Sequence, residues 1–310
     1  MPPRNAAAFG PLAPYICDDT VTDVFVNGPG DVWIDRGAGL VRGDPLRLDT
    51  EGLRALATAL VARGGRHVDE ANPCVDVRLD DGIRVHAVLS PISPSGALLS
   101  IRIPRRERLG LDDLAAAGVF SEIPLASVRT LVEERENILI SGAGGSGKTT
   151  LLGAMLGAAP PRDRIIAIED VGELRVEHPH FVSLEARQAN IEGAGEVGLT
   201  RLVREALRMR PDRLVLGECR GAEIRELLSA LNTGHDGGAG TIHANSLADV
   251  PARLEALGAL AGMSPDAVAR QSVSAIGAVL HLVRRDGRRM LARMGRFELD
   301  PAGRLAIVEA

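Results

Sequence analysis

"NILISGAGGSGKTTLL", residues 137–152, decides the fold. An apolar run, Ile138 to Ile140, feeds Gly142, Ala143, Gly144, Gly145, Ser146, Gly147, Lys148, Thr149 and Thr150, which fit the pattern G-x-x-x-x-G-K-[ST]. The chemistry needs these residue types in this order. Glycines let backbone N–H groups curl around phosphate oxygens at the positive end of a following helix. Lys148 is placed to reach the β- and γ-phosphates, and the Thr149 hydroxyl to ligate Mg²⁺. A glycine-rich turn can match the pattern by chance, but a strand before it and a helix after it favour the ATP-binding reading.

Outward from this stretch, compact apolar runs alternate with helical segments: "RIIAIED" (164–170), "HFVSLE" (180–185), "RLVLGE" (213–218) and "AGTIHAN" (239–245). Such runs predict strands buried on both faces of a largely parallel sheet. Ligands bind where the strands of such a sheet end. "AVLHLVRR", "RRMLARMGRFEL" and "RLAIVEA" at the end of the chain predict an antiparallel meander.

Acidic residues stand at the ends of these runs. Glu218 closes "RLVLGE", where a nucleotide-hydrolysing site needs an acid to orient or deprotonate water. A strand can also end in glutamate because its end meets solvent. "RIIAIEDVGEL" adds Glu169, Asp170 and Glu173, which repel one another unless a cation or arginines balance them. A solvated loop is the plain alternative. His243, in "TGHDGGAGTIHANS" (233–246), follows a glycine-rich stretch, Gly234 to Gly240, expected as a loop bending around a ligand.

The first third reads differently. "VTDVFVNG" (21–28) and "DVWIDR" (31–36) flank a "GPG" hairpin signal, and residues 49–65 predict a helix capped by Asp49 or Thr50. "CVDVRL", "IRVHAVL" and "ALLSIRI" then alternate as half-buried strands. "PRRERLGLDDL" (104–114) carries proline and dense charge, so it is expected as the linker. The division is an N-terminal α+β domain, 1–106, and a P-loop domain, 107–310.

Bulk properties narrow the functional classes. The chain has 310 residues, 45% hydrophobic and 25% charged, enough for two domains with their own cores. A net charge of −5 and seven aromatics argue against a nucleic-acid surface, so no specific nucleic acid is expected. Three scattered cysteines suit reduced thiols in a cytoplasmic protein and offer no paired zinc motif. "MPPRNAAAFGPLAP" has proline and glycine where the apolar core of a signal peptide should run. No run nears the about 18 apolar residues of a membrane span, so any membrane role is expected to be peripheral.

Taken together, the P-loop, "IEDVGEL", "RPDRLVLGECRGAE" and "NTGHDGG…TIHANS" resemble, in order, the P-loop, Asp box, Walker B and His box of the secretion ATPase superfamily. The wording is closest to the tight-adherence (Tad), CpaF-type pilus ATPases, near the VirB11-like conjugation ATPases. The resemblance implies an α/β protein, a RecA-like P-loop NTPase domain with a smaller, PAS-like N-terminal α+β domain. It implies a cytoplasmic ATPase, peripheral to the inner face of the membrane, that forms a hexameric ring and works on an inner-membrane platform protein. ATP and Mg²⁺ are its cofactors. Glu218 would assist water attack, Glu173 would hold the metal-bound water, and Thr149, Glu173 and Glu218 would form the metal site. His243 would sense the γ-phosphate, and Arg84 and Arg102 would reach the phosphates from the N-terminal domain. For either arginine, a solubilising charge on the sheet is the other reading. One of Arg204, Arg208 and Arg210 would face a neighbouring subunit. The tetracysteine element of many type II secretion ATPases is missing, which argues against that branch. Two rivals remain, an ATPase of a conjugation or type IV secretion machine and a non-hydrolysing nucleotide-binding scaffold.

Overall fold

The computed structural model describes residues 6–79, 82–104, 108–187 and 195–309, and the expected boundary between residues 106 and 107 lies outside them. The chain divides into two compact units, the second beginning at Arg108.

In the first unit a short helix α1 (Ala13–Cys17) precedes β1 (Asp23–Val26), β2 (Val32–Asp35), β3 (Leu40–Arg42), α2 (Thr50–Arg63), β4 (Cys74–Arg78), β5 (Arg84–Val88) and β6 (Leu98–Arg102). The strands form one sheet in the order β3-β2-β1-β6-β5-β4. Burial alternates: Val24, Val26, Val85, Ala87, Leu99 and Ile101 point inward. That is the signature of an antiparallel sheet with one covered face. Leu53, Ala57, Leu60 and Val61 of α2 join the same core. Full burial of each leucine is worth about 2–3 kcal/mol. Asp49 caps α2, its carboxylate accepting from the Gly52 N–H at 2.8 Å. On this sheet Arg84 and Arg102 are directly opposite across β5 and β6, so both project to the same face.

The second unit opens with α3 (Leu111–Ala116) and α4 (Leu125–Glu133). Here the structure departs from the sequence reading, since α3 begins inside the stretch expected to be linker. The Asp113 carboxylate accepts from the Gly110 N–H at 2.8 Å, starting a helix whose Leu111 and Leu114 are buried. Then follow β7 (Ile138–Gly142), α5 (Lys148–Gly157), β8 (Ile165–Glu169), β9 (Phe181–Glu185), α6 (Leu199–Leu207), β10 (Arg213–Cys219), α7 (Glu223–Leu231), β11 (Ala239–His243), α8 (Val250–Leu260), α9 (Pro265–Ala275), β12 (Ala278–Arg285), β13 (Arg288–Leu299) and β14 (Leu305–Glu309). Their order is β14-β13-β12-β7-β11-β10-β8-β9, parallel from β12 to β9, with β13 and β14 antiparallel at one edge.

Every residue of β7 and β8 is buried because both faces are covered. Leu151, Leu152 and Met155 of α5 pack in the core on one face, and Leu227, Leu228 and Leu254 of α7 and α8 in the core on the other. At the N-terminal end of the sheet Asp163 ties elements together, accepting from Arg213 Nε at 2.8 Å and pairing with Arg135 at 3.1 Å. Among the described residues no helix is long and apolar enough to cross a membrane.

Candidate functional site

β7 ends at Gly142 and the chain turns into α5 through backbone conformations open mainly to glycine. Gly142, Gly145 and Gly147 have φ of 150°, 70° and 99°. At Gly142 space also decides: a Cβ there would stand 2.5 Å from the Leu282 carbonyl oxygen and 2.6 Å from Ser146 Oγ. Lys148, only 7% exposed, donates to the carbonyls of Gly142 and Ala143, each at 3.0 Å. Thr149 and Thr150 follow in the first turn of α5. The Ser146 hydroxyl is buried with no hydrogen-bond partner, a polar atom inside the loop whose needs the protein does not meet. An anion cradled by the loop fits that set of groups.

Strand order brings the second layer together. β11 lies next to β7, with His243 in register with Gly142, and β10 lies next to β11. Between β10 and β11 the register slips: Leu216 faces Gly240, but Cys219 faces Ile242. Glu218 lies within this break in the register, and bulges are common beside functional sites. Thr241 Oγ1 donates to the Gly217 carbonyl at 2.7 Å across the break. Gly217 has no room for a side chain, since a Cβ would lie 2.6 Å from Glu169 Cγ.

Glu218 and His243 meet directly, with His243 Nε2 2.6 Å from Glu218 Oε1. The other carboxylate oxygen accepts from Arg220 at 2.6 Å, and Arg220 also lies 3.9 Å from Asp170. Burial by itself would raise the Glu218 carboxyl, but the Arg220 hydrogen bond and the charges of Arg220, His243 and Lys148 outweigh it and hold the group below its ordinary value. Burial and the Lys148 charge hold the His243 imidazole low as well, against the pull of Glu218. The two groups thus meet through a short contact between His243 Nε2 and Glu218 Oε1, each held below its ordinary value. Glu173 lies close enough for its charge to act on both Arg220 and Glu169. Among the described residues no group of three or more His, Cys, Asp or Glu could hold a metal by itself.

The glycines expected as a loop before His243 lie at the far end of β11 from the P-loop. Ala239 and Gly240 belong to β11, and Gly234 and Gly237 turn before that strand, at the end of the sheet away from His243. The reason is packing: a Cβ on Gly238 would lie 2.9 Å from the Leu214 carbonyl, and one on Gly240 3.1 Å from Leu227 Cδ2. Arg204, one of three arginines considered for a neighbour's nucleotide, is held by Glu226 at 2.6 Å.

Sequence reasoning assigned no role to Arg220 or Glu169. Arg220 was legible two residues beyond Glu218, whereas nothing in the sequence marked Glu169 as buried. Glu169 is 4% exposed; its Oε1 accepts from the N–H groups of Glu173 and Leu174 at 2.9 and 3.0 Å, and its Oε2 has no partner. Burial pushes the carboxyl up to about 7, against the two N–H bonds and with further push from Glu173 and Glu185. A carboxyl there can exchange a proton near neutrality.

The folded state binds this proton more tightly than the unfolded chain, whose value is near 4.5. The stabilisation is complete below the unfolded value and is lost as pH rises through 7. Glu169→Gln keeps the acceptor for both N–H groups and removes the charge. It should exceed wild type in stability by about 2–3 kcal/mol near pH 8, with the gap closing towards about pH 4.5. Urea unfolding across that range checks it. A gap that does not change with pH counts against the shifted carboxyl.

The model of the family described as "Type II/IV secretion system protein" matches residues 5–296. The chain belongs to that family. A putative conjugal transfer protein of Mycobacterium tuberculosis is 49% identical over 292 residues, covering 92% of this chain and 83% of that protein. The type IV secretion system protein PtlH of Bordetella pertussis is 35% identical over 263 residues, covering 76% of each. In fold, the ATPase DotB of Legionella pneumophila superposes with a TM-score of 0.59 at 19% identity, covering 92% of this chain and 78% of DotB. The α/β, RecA-like architecture expected for the secretion ATPase superfamily is thus the one the chain adopts.

Proposed function

We propose that this chain is an ATP hydrolase that powers a membrane-spanning secretion, conjugation or pilus machine. One observation carries the reading: Glu218 and His243, in contact at 2.6 Å, stand beside a P-loop whose Lys148 reaches both electrostatically. A non-hydrolysing scaffold has no use for that pair. ATP binds through Gly142 to Thr150. Thr149, Glu218 and Glu173 would hold Mg²⁺, which would neutralise phosphate charge. Glu218 orients the attacking water. Arg84 and Arg102, paired on one face of the first sheet, are the arginines assigned to the phosphates, so domain closure would complete the site.

The family and the similar proteins support conjugal transfer or type IV secretion, while the motif wording supports a Tad-type pilus. Both use the same ATP chemistry. We place the protein at the cytoplasmic face as a hexameric ring acting on an inner-membrane platform protein.

The test couples hydrolysis to movement. Purified protein should release phosphate from ATP in a Mg²⁺-dependent reaction, and membranes carrying the platform protein should stimulate it. His243→Ala should bind ATP with near-normal affinity, because the P-loop makes most of the phosphate contacts. Its turnover should fall about tenfold or more, with assembly in cells lost further. A protein of lower melting temperature but normal turnover per folded molecule would make the role of His243 purely structural. No phosphate release from the wild type under any of these conditions would overturn hydrolysis itself.

A further inference from the structure

We propose that Arg289, on the β12–β13 hairpin, is a phosphate ligand of the bound nucleotide; this rests on the reading of the P-loop as an ATP site. The topology places it there. β12 runs parallel to β7, from Ala278 beside Ile138 to Leu282 beside Gly142. β7 ends at Gly142 to enter the loop, but β12 continues to Arg285 before the chain turns back at Arg288. The hairpin therefore overshoots the sheet and stands as a wall along the outside of the P-loop.

Arg289 leans from this wall onto the loop. Its Nε–H donates to the Gly145 carbonyl at 3.1 Å. A Cβ on Gly147 would meet Arg289 Cδ at 3.0 Å, so the aliphatic stem lies flush against that glycine. The contact also fixes a peptide plane. With the Gly145 carbonyl turned to Arg289, the trans peptide points the Ser146 N–H the other way, where it donates to the Ala143 carbonyl at 3.3 Å. Arg289 thus brings a permanent charge to the loop's rim and holds one loop peptide in a single orientation. The guanidinium has five N–H donors in a planar fork, which suits a phosphate oxygen beside the anchored Nε.

Charge density favours an anion at this place. "RRDGRR" (284–289) puts Arg284 opposite Arg289 and Arg285 opposite Arg288 around one tight turn. Glu122 balances Arg285 at 2.8 Å and also pairs with Arg293 at 3.1 Å. A nucleotide phosphate on the P-loop adds negative charge on the Arg289 side of the hairpin.

The experiment measures ATP affinity of the full chain by calorimetric titration, with turnover measured alongside. Arg289→Met keeps the packing on Gly147 and removes the guanidinium. It should weaken ATP binding about ten- to a hundredfold, the range for one charge-assisted hydrogen bond. KM should rise by a similar factor with kcat changed less, and the melting temperature without nucleotide should stay within a few degrees. Arg289→Lys, with charge but no fork, should fall between the two. Wild-type ATP affinity in Arg289→Met, in a series where Lys148→Ala has lost binding, overturns the proposal and leaves the P-loop site standing. A wild-type protein that does not bind ATP overturns both. A lowered melting temperature with unchanged affinity per folded molecule makes Arg289 a structural prop and also overturns it.

Discussion

Lys148→Ala should abolish productive ATP binding, with turnover down about a hundredfold or more. The lysine starts α5 and is nearly buried, and its ammonium spans the mouth of the loop between the carbonyls of Gly142 and Ala143. Lys148 is the one lysine of the chain, so no second ammonium can take that position on the helix N-terminus. The fold should survive, because alanine is the best helix former and the two carbonyls can turn to water once the ammonium is gone. A second effect reads out independently. The Lys148 charge helps to hold the His243 imidazole low, so its removal should move the histidine titration upward, visible by NMR. Normal turnover in a folded Lys148→Ala protein would sink the site assignment.

Glu218→Gln separates binding from chemistry. The amide oxygen can still accept from His243, but the bond from Arg220 is lost, since the amide nitrogen cannot accept. ATP affinity should stay within a few-fold of wild type because the P-loop contacts are intact. Turnover should drop about a hundredfold, because the charge that orients water is gone. Measuring binding and phosphate release on the same preparation checks it. Should Glu218→Gln hydrolyse normally while Glu173→Gln or Glu169→Gln is dead, the carboxylate roles are reversed.

Much of this was legible from residue order because the information is local. A P-loop needs glycines, a lysine and a hydroxyl within a few consecutive residues, so Gly142 to Thr150 announce the loop whatever surrounds them. Unbroken apolar runs at 138–140 and 165–168 announce strands covered on both faces. Alternation at 84–88 and 98–102 announces a sheet covered on one. The start of α3 was missed because charge in "PRRERLGLDDL" masked a capping interaction between Gly110 and Asp113.

The sequence by itself therefore determined the α/β class, the P-loop and the order of its acidic and histidine motifs. Tertiary structure alone decided which of those residues meet. Glu218 and His243 lie twenty-five positions apart and touch because β10 and β11 are neighbours. Glu169 became a carboxyl near 7 because Gly217 lets it bury where no charge partner reaches Oε2. Arg289, far along the chain in an apparent meander, reached the P-loop because β12 pairs with β7 and outruns it. Hydrogen-bond partners, desolvation and strand overshoot are properties of pairing across the sheet, and residue order does not carry them.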